Sequence, residues 1–187
     1  MKTPGITVNP VYQMTGKPGF NEVVFADAFV PDDHVMGEID SAWKQATSEL
    51  AYERSGPERF LDTFYVLPEL IRALGPDPDL RGAEGLGRLV AQLHTLRRMS
   101  VSVAGMLQAG KEPVVEGSIV KDLGTAWEQK LPARVRELAA FLKPEMLNHT
   151  ALEDQLAYAT MIAPKLTIQG GTTEILRGII ARGLGLR

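Results

Sequence analysis

The sequence predicts a mainly α protein, an antiparallel helical bundle of about five helices preceded by a short β-strand segment. Three observations predict it. Leu86, Leu89, Leu93, Leu96, Val103 and Leu107 recur every three or four residues, the period of one helix face. Ile119, Leu123, Trp127, Leu131, Val135, Leu138 and Leu142 run on as a second stripe of the same kind. Residues 1–40 lack this period and alternate apolar with polar side chains instead.

The elements follow in order. Gly5-Ile6-Thr7-Val8-Asn9-Pro10-Val11 alternates between Pro and Gly signals, as a short strand does. After a turn region at 16–19, residues 21–30 read as a longer strand, stopped by Pro31-Asp32-Asp33. Two strands alone are marginal in water, so they need a further sheet or a helix face. From Ser41, a plausible N-cap, the period becomes helical, with Trp43, Ala46 and Leu50 on one face. Gly56-Pro57 breaks this helix, which is expected to resume through Phe60, Phe64 and Leu67. A loop at 75–79 leads into the Leu86 stripe, where Ser100 is the one polar intruder. Gly110 ends that helix and Pro113 suits the first turn of the next, in which Pro132 predicts a kink. Thr150 and Glu153 have capping-box spacing and open a helix through Leu156 and Ala159 to Pro164. A loop at 165–171 precedes a last helix capped by Thr172 or Thr173, carrying Ile175, Ile179 and Ile180. The domains are therefore 1–40, short strands, and 41–187, the bundle.

The length, 187 residues, suits one domain with a sizeable core and a short appendage. With 20 Lys+Arg against 23 Asp+Glu, the net charge of −3 argues against nucleic acid as the main partner. The absence of cysteine excludes disulfides, a thiol nucleophile and thiolate metal ligation. The first residues lack the apolar region of a secretory signal, and no apolar run suffices for a membrane span, so the expected compartment is cytoplasmic. His34, His94 and His149 share no helix face with another metal-type ligand, so surface or packing roles are expected and no metal site is proposed.

Two segments carry candidate chemistry. Glu53, in Leu50-Ala51-Tyr52-Glu53-Arg54-Ser55-Gly56, lies where a helix meets Gly-Pro. A carboxylate there is either a general base facing a cavity or a solvated group paired with Arg54 or a nearby arginine. In Ile168-Gln169-Gly170-Gly171-Thr172-Thr173-Glu174-Ile175, paired glycines allow close backbone approach and a helix N-terminus suits an electron-rich group. The alternative is an ordinary loop with a Thr cap.

Taken together and in this order, the motifs resemble the C-terminal half of the acyl-CoA dehydrogenase family. Gly5-Ile6-Thr7-Val8, Met14-Thr15-Gly16, Phe20-Asn21-Glu22-Val23 and Val30-Pro31 resemble the closing strands of that family's middle β-domain. Gly37-Glu38 and Ala42-Trp43 resemble its junction with the first C-terminal helix, and Ala51-Tyr52-Glu53-Arg54 its helical E-R element. Val120-Lys121-Asp122-Leu123-Gly124-Thr125 is similar to the middle bundle helix of a bacterial branch. The segment from Ile168 to Arg177, with Ile179-Ile180-Ala181-Arg182, resembles the C-terminal signature.

The resemblance implies α,β-dehydrogenation of an acyl-CoA thioester with hydride transfer to FAD, and an electron-transfer flavoprotein as acceptor. The family's base stands either just before the Gly-Thr of the signature, here Gly170, or in the E-R element, here Glu53. Glycine cannot act as a base, so the resemblance assigns catalysis to Glu53. It assigns FAD contact to Gly171, Thr172 and Glu174, with Gln169 a further candidate and the Gly170 N–H a donor to the thioester carbonyl. Glu174 departs from the common amide. The family's Arg-x-Phe-Gly element is missing from 67–88, where Arg72, Arg81 or Arg88 stand instead. It also implies domains ahead of these residues. The chain is expected to be part of a longer enzyme or a short subunit with a partner, and the bundle to form homo- or hetero-oligomers. A non-catalytic helical oligomerisation subunit completing a partner's flavin site is the alternative.

Overall fold

The structure is a computed structural model that describes residues 2–147 and 150–186; His149 therefore lies outside the described residues. The chain divides into two compact units, residues up to Ser48 and residues from Glu49 onward.

In the first unit, β1 (Ile6–Tyr12) pairs antiparallel with β2 (Pro18–Phe25). The register runs from Ile6 opposite Phe25 to Tyr12 opposite Pro18, with an irregularity at Val11/Tyr12. Asn9 Nδ2 donates to Glu22 Oε2 across the pair at 3.0 Å. The second strand begins and ends earlier than the expected 21–30. The chain leaves the extended region after Phe25, where Asp27 takes φ 49°. No third strand pairs with these two among the described residues. Helix α1 (Ala42–Glu53) follows, and the Ser41 carbonyl accepts from Gln45 N at 3.1 Å, the position of an N-cap. The Ser41 hydroxyl itself donates to Glu38 O and accepts from Gln45 Nε2.

The second unit is helical and is built around one helix. The long helices are α3 (Leu80–Gln108) and α4 (Val114–Ala139), joined through Gly110. Helix α2 (Val66–Leu74) precedes them; α5 (Pro144–Leu147), α6 (Leu152–Ile162) and α7 (Thr173–Gly183) follow. Helix α4 touches α2, α3, α6 and α7. Phe60, Val66, Leu70, Leu89, Leu96, Val103, Trp127, Leu131, Val135, Leu152 and Leu156 form its core.

Several expectations need correction. Phe60 and Phe64 precede α2 rather than lying in it. Pro57 starts a short 3-10 turn, Pro57–Arg59, which reverses the chain before α2 begins at Val66. The count of helices exceeds five because α2 and the four-residue α5 are separate. Thr150 and Glu153 do not form a capping box. Ala151 is the N-cap of α6, and its N–H donates to Glu69 Oε2 of α2 at 3.0 Å, a tertiary cap no local spacing reveals. Residues 163–167 form a 3-10 turn, which takes in the end of the expected helix at Pro164 and the first part of the loop expected at 165–171. Helix α4 carries Pro132, the position of the expected kink, inside its span and continues past it to Ala139. Its stripe is not uniform: Leu131 and Val135 are fully buried, but Leu123 is 47% exposed.

Candidate functional site

The site forms where the end of α1 meets the turn before α7. Helix α1 stops at Glu53, and Gly56-Pro57 turns the chain so that Arg59 comes back onto it. Arg59 Nε donates to the Glu53 carbonyl at 2.8 Å, and its Nη2 lies 3.4 Å from Glu53 Oε2. Glu58 Oε1 stands 3.6 Å from the same Nε. Arg59 is buried, whereas the Glu53 side chain is 45% exposed and open to a ligand. Arg54, also buried, donates from Nε to the Gly170 carbonyl at 3.0 Å.

Gly170 and Gly171 adopt φ of +71° and +118°, backbone that L side chains rarely take. A Cβ built on Gly170 would lie 3.7 Å from Arg59 Nη2, and one on Gly171 would lie 3.8 Å from Arg54 Nη2. Two guanidinium groups thus join the E-R element to the glycine pair. Glu53 is paired with a nearby arginine, Arg59 rather than Arg54, and its side chain stays half exposed.

Thr172 is the N-cap of the 11-residue helix α7, and Glu174 lies exposed in its first turn. The Glu174 carboxylate is held below its ordinary range, first by its own backbone N–H, then by the Thr172 hydroxyl, with Arg177 nearby. Gln169 is half-buried just before the glycines. A helix N-terminus beside two glycines fits the uncharged polar parts of a flavin or a thioester carbonyl. The ionised Glu174 does not fit a phosphate. The arginines weighed for a pyrophosphate stand elsewhere. Arg72 pairs with Glu69, Arg88 with Glu84 at 2.7 Å, and Arg81 stacks 3.9 Å from the Phe141 ring.

Behind the site, α4 presents a buried polar face. Lys121 Nζ donates to Thr125 Oγ1 at 2.6 Å and to the Leu166 carbonyl at 2.7 Å, in the 3-10 turn leading to Gly170. Burial pushes this ammonium down to about 8; Arg59 adds to the shift, and Glu128, Asp122 and Asp62 oppose it. Glu128 Oε1 accepts from Thr63 N at 2.9 Å, and burial pushes its carboxyl up to about 7 against that hydrogen bond. Between them Gly124 has no side chain where Arg59 comes close, since a Cβ there would lie 2.4 Å from the Arg59 carbonyl oxygen. Sequence reasoning missed Arg59, Lys121 and Glu128. The available signal was Lys121, Gly124, Thr125 and Glu128 at positions i, i+3, i+4 and i+7, one helix face with the polarity of a buried contact. His34 and His94 are exposed, and no metal-type cluster of three or more His, Asp or Glu occurs among the described residues. No described helix is long and apolar enough to cross a membrane.

No model of a protein family matches the sequence. Two curated proteins of Mycobacterium tuberculosis are similar to it. The acyl-CoA dehydrogenase FadE34 is 30% identical over 188 residues, which is 100% of this chain and 26% of FadE34. The acyl-CoA dehydrogenase IpdE1 is 32% identical over 191 residues, 98% of this chain and 48% of IpdE1. The chain thus spans about half the length of one of these relatives and about a quarter of the other. Among solved structures, a variant of the Tcur3481-Tcur3483 steroid ACAD matches with a TM-score of 0.81 at 20% identity, over 100% of this chain and 50% of that one. Butyryl-CoA dehydrogenase from Megasphaera elsdenii matches with a TM-score of 0.80 at 20% identity, again over 100% and 50%. The ChsE4-ChsE5 complex from Mycobacterium tuberculosis matches with a TM-score of 0.75 at 24% identity, over 100% and 51%. At these identities the structures establish the fold alone, and the curated relatives add the sequence link. By sequence the chain is similar to part of these acyl-CoA dehydrogenases and by fold to about half of each solved one, as a C-terminal fragment of such an enzyme would be.

Proposed function

We propose that this chain supplies the base and one rim of the flavin site for α,β-dehydrogenation of an acyl-CoA thioester. The observation that carries the reading is the junction of Glu53 with Gly170 through Arg59. Glu53 Oε2 takes the α-proton, because it is the carboxylate that the buried Arg59 holds near Gly170, and its side chain remains half exposed. The Gly170 N–H polarises the thioester carbonyl, which makes the α-proton more acidic. Gly171, Thr172 and Gln169 line the flavin edge, and Glu174 lies at the rim without touching phosphate. FAD held along this edge would supply the acceptor for the β-hydrogen as hydride, with an electron-transfer flavoprotein as the proposed electron acceptor. In this reading residues 1–40 close a β-domain and residues 41–187 form the bundle that joins like or unlike subunits.

The test uses Glu53→Gln in the flavin-loaded protein that contains this chain. Acyl-CoA-dependent bleaching of the flavin is expected to fall by about a thousandfold or more, the cost of removing a positioned base with no substitute. Unchanged bleaching removes Glu53 as the base.

A second reading is favoured by one observation, the ionised Glu174 where a phosphate-binding helix end needs no carboxylate. The chain then serves as a non-catalytic oligomerisation subunit that completes a partner's flavin site. Flavin absorbance of the purified chain, alone and with its partner, separates the two. Flavin held by the chain alone argues for the first reading, and flavin in the partner with normal turnover after Glu53→Gln argues for the second.

A further inference from the structure

We propose that Arg59 is the positioning residue of the Glu53 carboxylate, an assignment that rests on Glu53 being the base. Arginine is seldom buried without a dedicated partner. Arg59 is buried, and its guanidinium grips both ends of one residue: Nε takes the Glu53 carbonyl at 2.8 Å and Nη2 faces Oε2 at 3.4 Å. That two-point hold fixes the helix end and the carboxylate in one frame. Only a planar fork can do this; an ammonium supplies one point of charge.

The clamp is itself clamped. On one side the Arg59 carbonyl packs where Gly124 of α4 lacks a side chain, at 2.4 Å from the missing Cβ. On the other, Thr63 N is held by the buried Glu128 of the same helix at 2.9 Å. Thr63 also has its hydroxyl 3.4 Å from Glu128 Oε1. The turn carrying Arg59 is therefore referenced to α4, the most connected helix of the bundle. The same helix holds the Leu166 carbonyl through Lys121, in the segment that leads to Gly170. Glu53 and Gly170 approach one substrate from two chain segments, and both segments are referenced to α4. Arg59 Nη2 also lies 3.7 Å from the point where a Gly170 side chain would begin, so one guanidinium stands close to both the base and the oxyanion donor.

The experiment compares Arg59→Lys, Arg59→Ala, Glu53→Gln and the Glu53→Gln/Arg59→Ala pair in the flavin-loaded protein that contains this chain. Both Arg59 variants are expected to reduce the rate of flavin bleaching about tenfold to a hundredfold, the usual effect of misplacing a reacting group by about 1 Å. The dissociation constant for acyl-CoA and the melting temperature of Arg59→Lys are expected to stay near the parent's. Added guanidinium ion should restore part of the rate to Arg59→Ala, and Arg59→Ala should add no loss on top of Glu53→Gln. Arg59→Lys with the parent's rate, or additive losses in the pair, overturns the positioning role. If Glu53→Gln leaves bleaching intact, it is the base assignment that fails, which is a separate result. Should Arg59→Ala not fold, the rate, ligand affinity and melting temperature of Arg59→Lys decide alone.

Discussion

At the scale of single residues, the informative positions are those whose side chains are missing or unexpectedly polar. Gly124 is one, because a methyl group there meets the Arg59 carbonyl oxygen, and backbone yields less readily than a side-chain tip. Gly124→Ala is expected to cost about 1–3 kcal/mol, the range for overpacking a filled contact. Differential scanning calorimetry checks the stability loss, and flavin bleaching should fall with it because the Arg59 turn must shift. Ser100 is another. In sequence it interrupts an apolar stripe; in the structure its hydroxyl donates to the Ser55 carbonyl at 2.6 Å, just past Glu53. Ser100→Ala is expected to cost about 1 kcal/mol, measured by urea unfolding, since it leaves that carbonyl without its donor. The intruder was legible as an anomaly, but its partner lies 45 residues away and no local pattern names it.

At the scale of elements, helix bodies follow the periodicity and helix ends follow tertiary contacts. The Leu86–Leu107 stripe is the clearest case, with Leu89, Leu96 and Val103 all buried in α3. Its start was less legible: α3 begins at Leu80, with Asp79 Oδ1 accepting from Gly82 N at 2.7 Å. Asp79→Ala is expected to destabilise by about 1 kcal/mol, read as a lower melting temperature, because that N–H loses its cap. Helix α6 behaves differently, since Glu69 on α2 accepts from Ala151 N at 3.0 Å while the local Thr150 hydroxyl accepts only a longer bond, 3.4 Å, from Leu152 N. Helix α4 separates two leucines that look alike in sequence. Leu131→Ala is expected to cost about 2–5 kcal/mol, as a fully buried leucine does. Leu123→Ala, at an exposed position, should stay within about 0.5 kcal/mol in the same unfolding assay.

At the scale of the whole molecule, the buried charges of α4 make stability depend on pH in two windows. Glu128 has its folded value raised to about 7 from 4.5, so the folded state holds more protons than the unfolded state between those values. Stability from this group is fully present below about 4.5 and is lost as pH rises through about 7. Lys121 has its folded value lowered to about 8 from 10.5, so the unfolded state holds more protons in that window. Its ionised form is a cost below about 8 that is relieved as pH rises toward 10.5. Urea midpoints measured across pH for the parent and Glu128→Gln check the first window. The parent should lose stability relative to the variant between about 4.5 and 7, and parallel curves would remove the shift. The same buried pair ties Thr63 and Leu166 to one helix, so the pH response of the fold and the geometry of the site share a cause.

What the sequence by itself determined is local. The alternation at the start, the helical stripes and the Gly-Pro and Gly-Gly breaks each reflect steric and hydrophobic rules that act over a few residues. They were enough to place a helical unit after a strand pair and, with the motifs, to mark Glu53 and Gly170–Gly171 as candidates. Tertiary structure alone decided which charges are buried and what they hold. Charged residues such as Lys121, Glu128 and Arg59 are usually exposed on a helix or in a turn. They are buried here, and their partners are Leu166, Thr63 and Glu53. Two of those partners lie 45 and 65 residues away along the chain. Burial is a property of what packs against a residue, and that is set only when distant segments meet on α4.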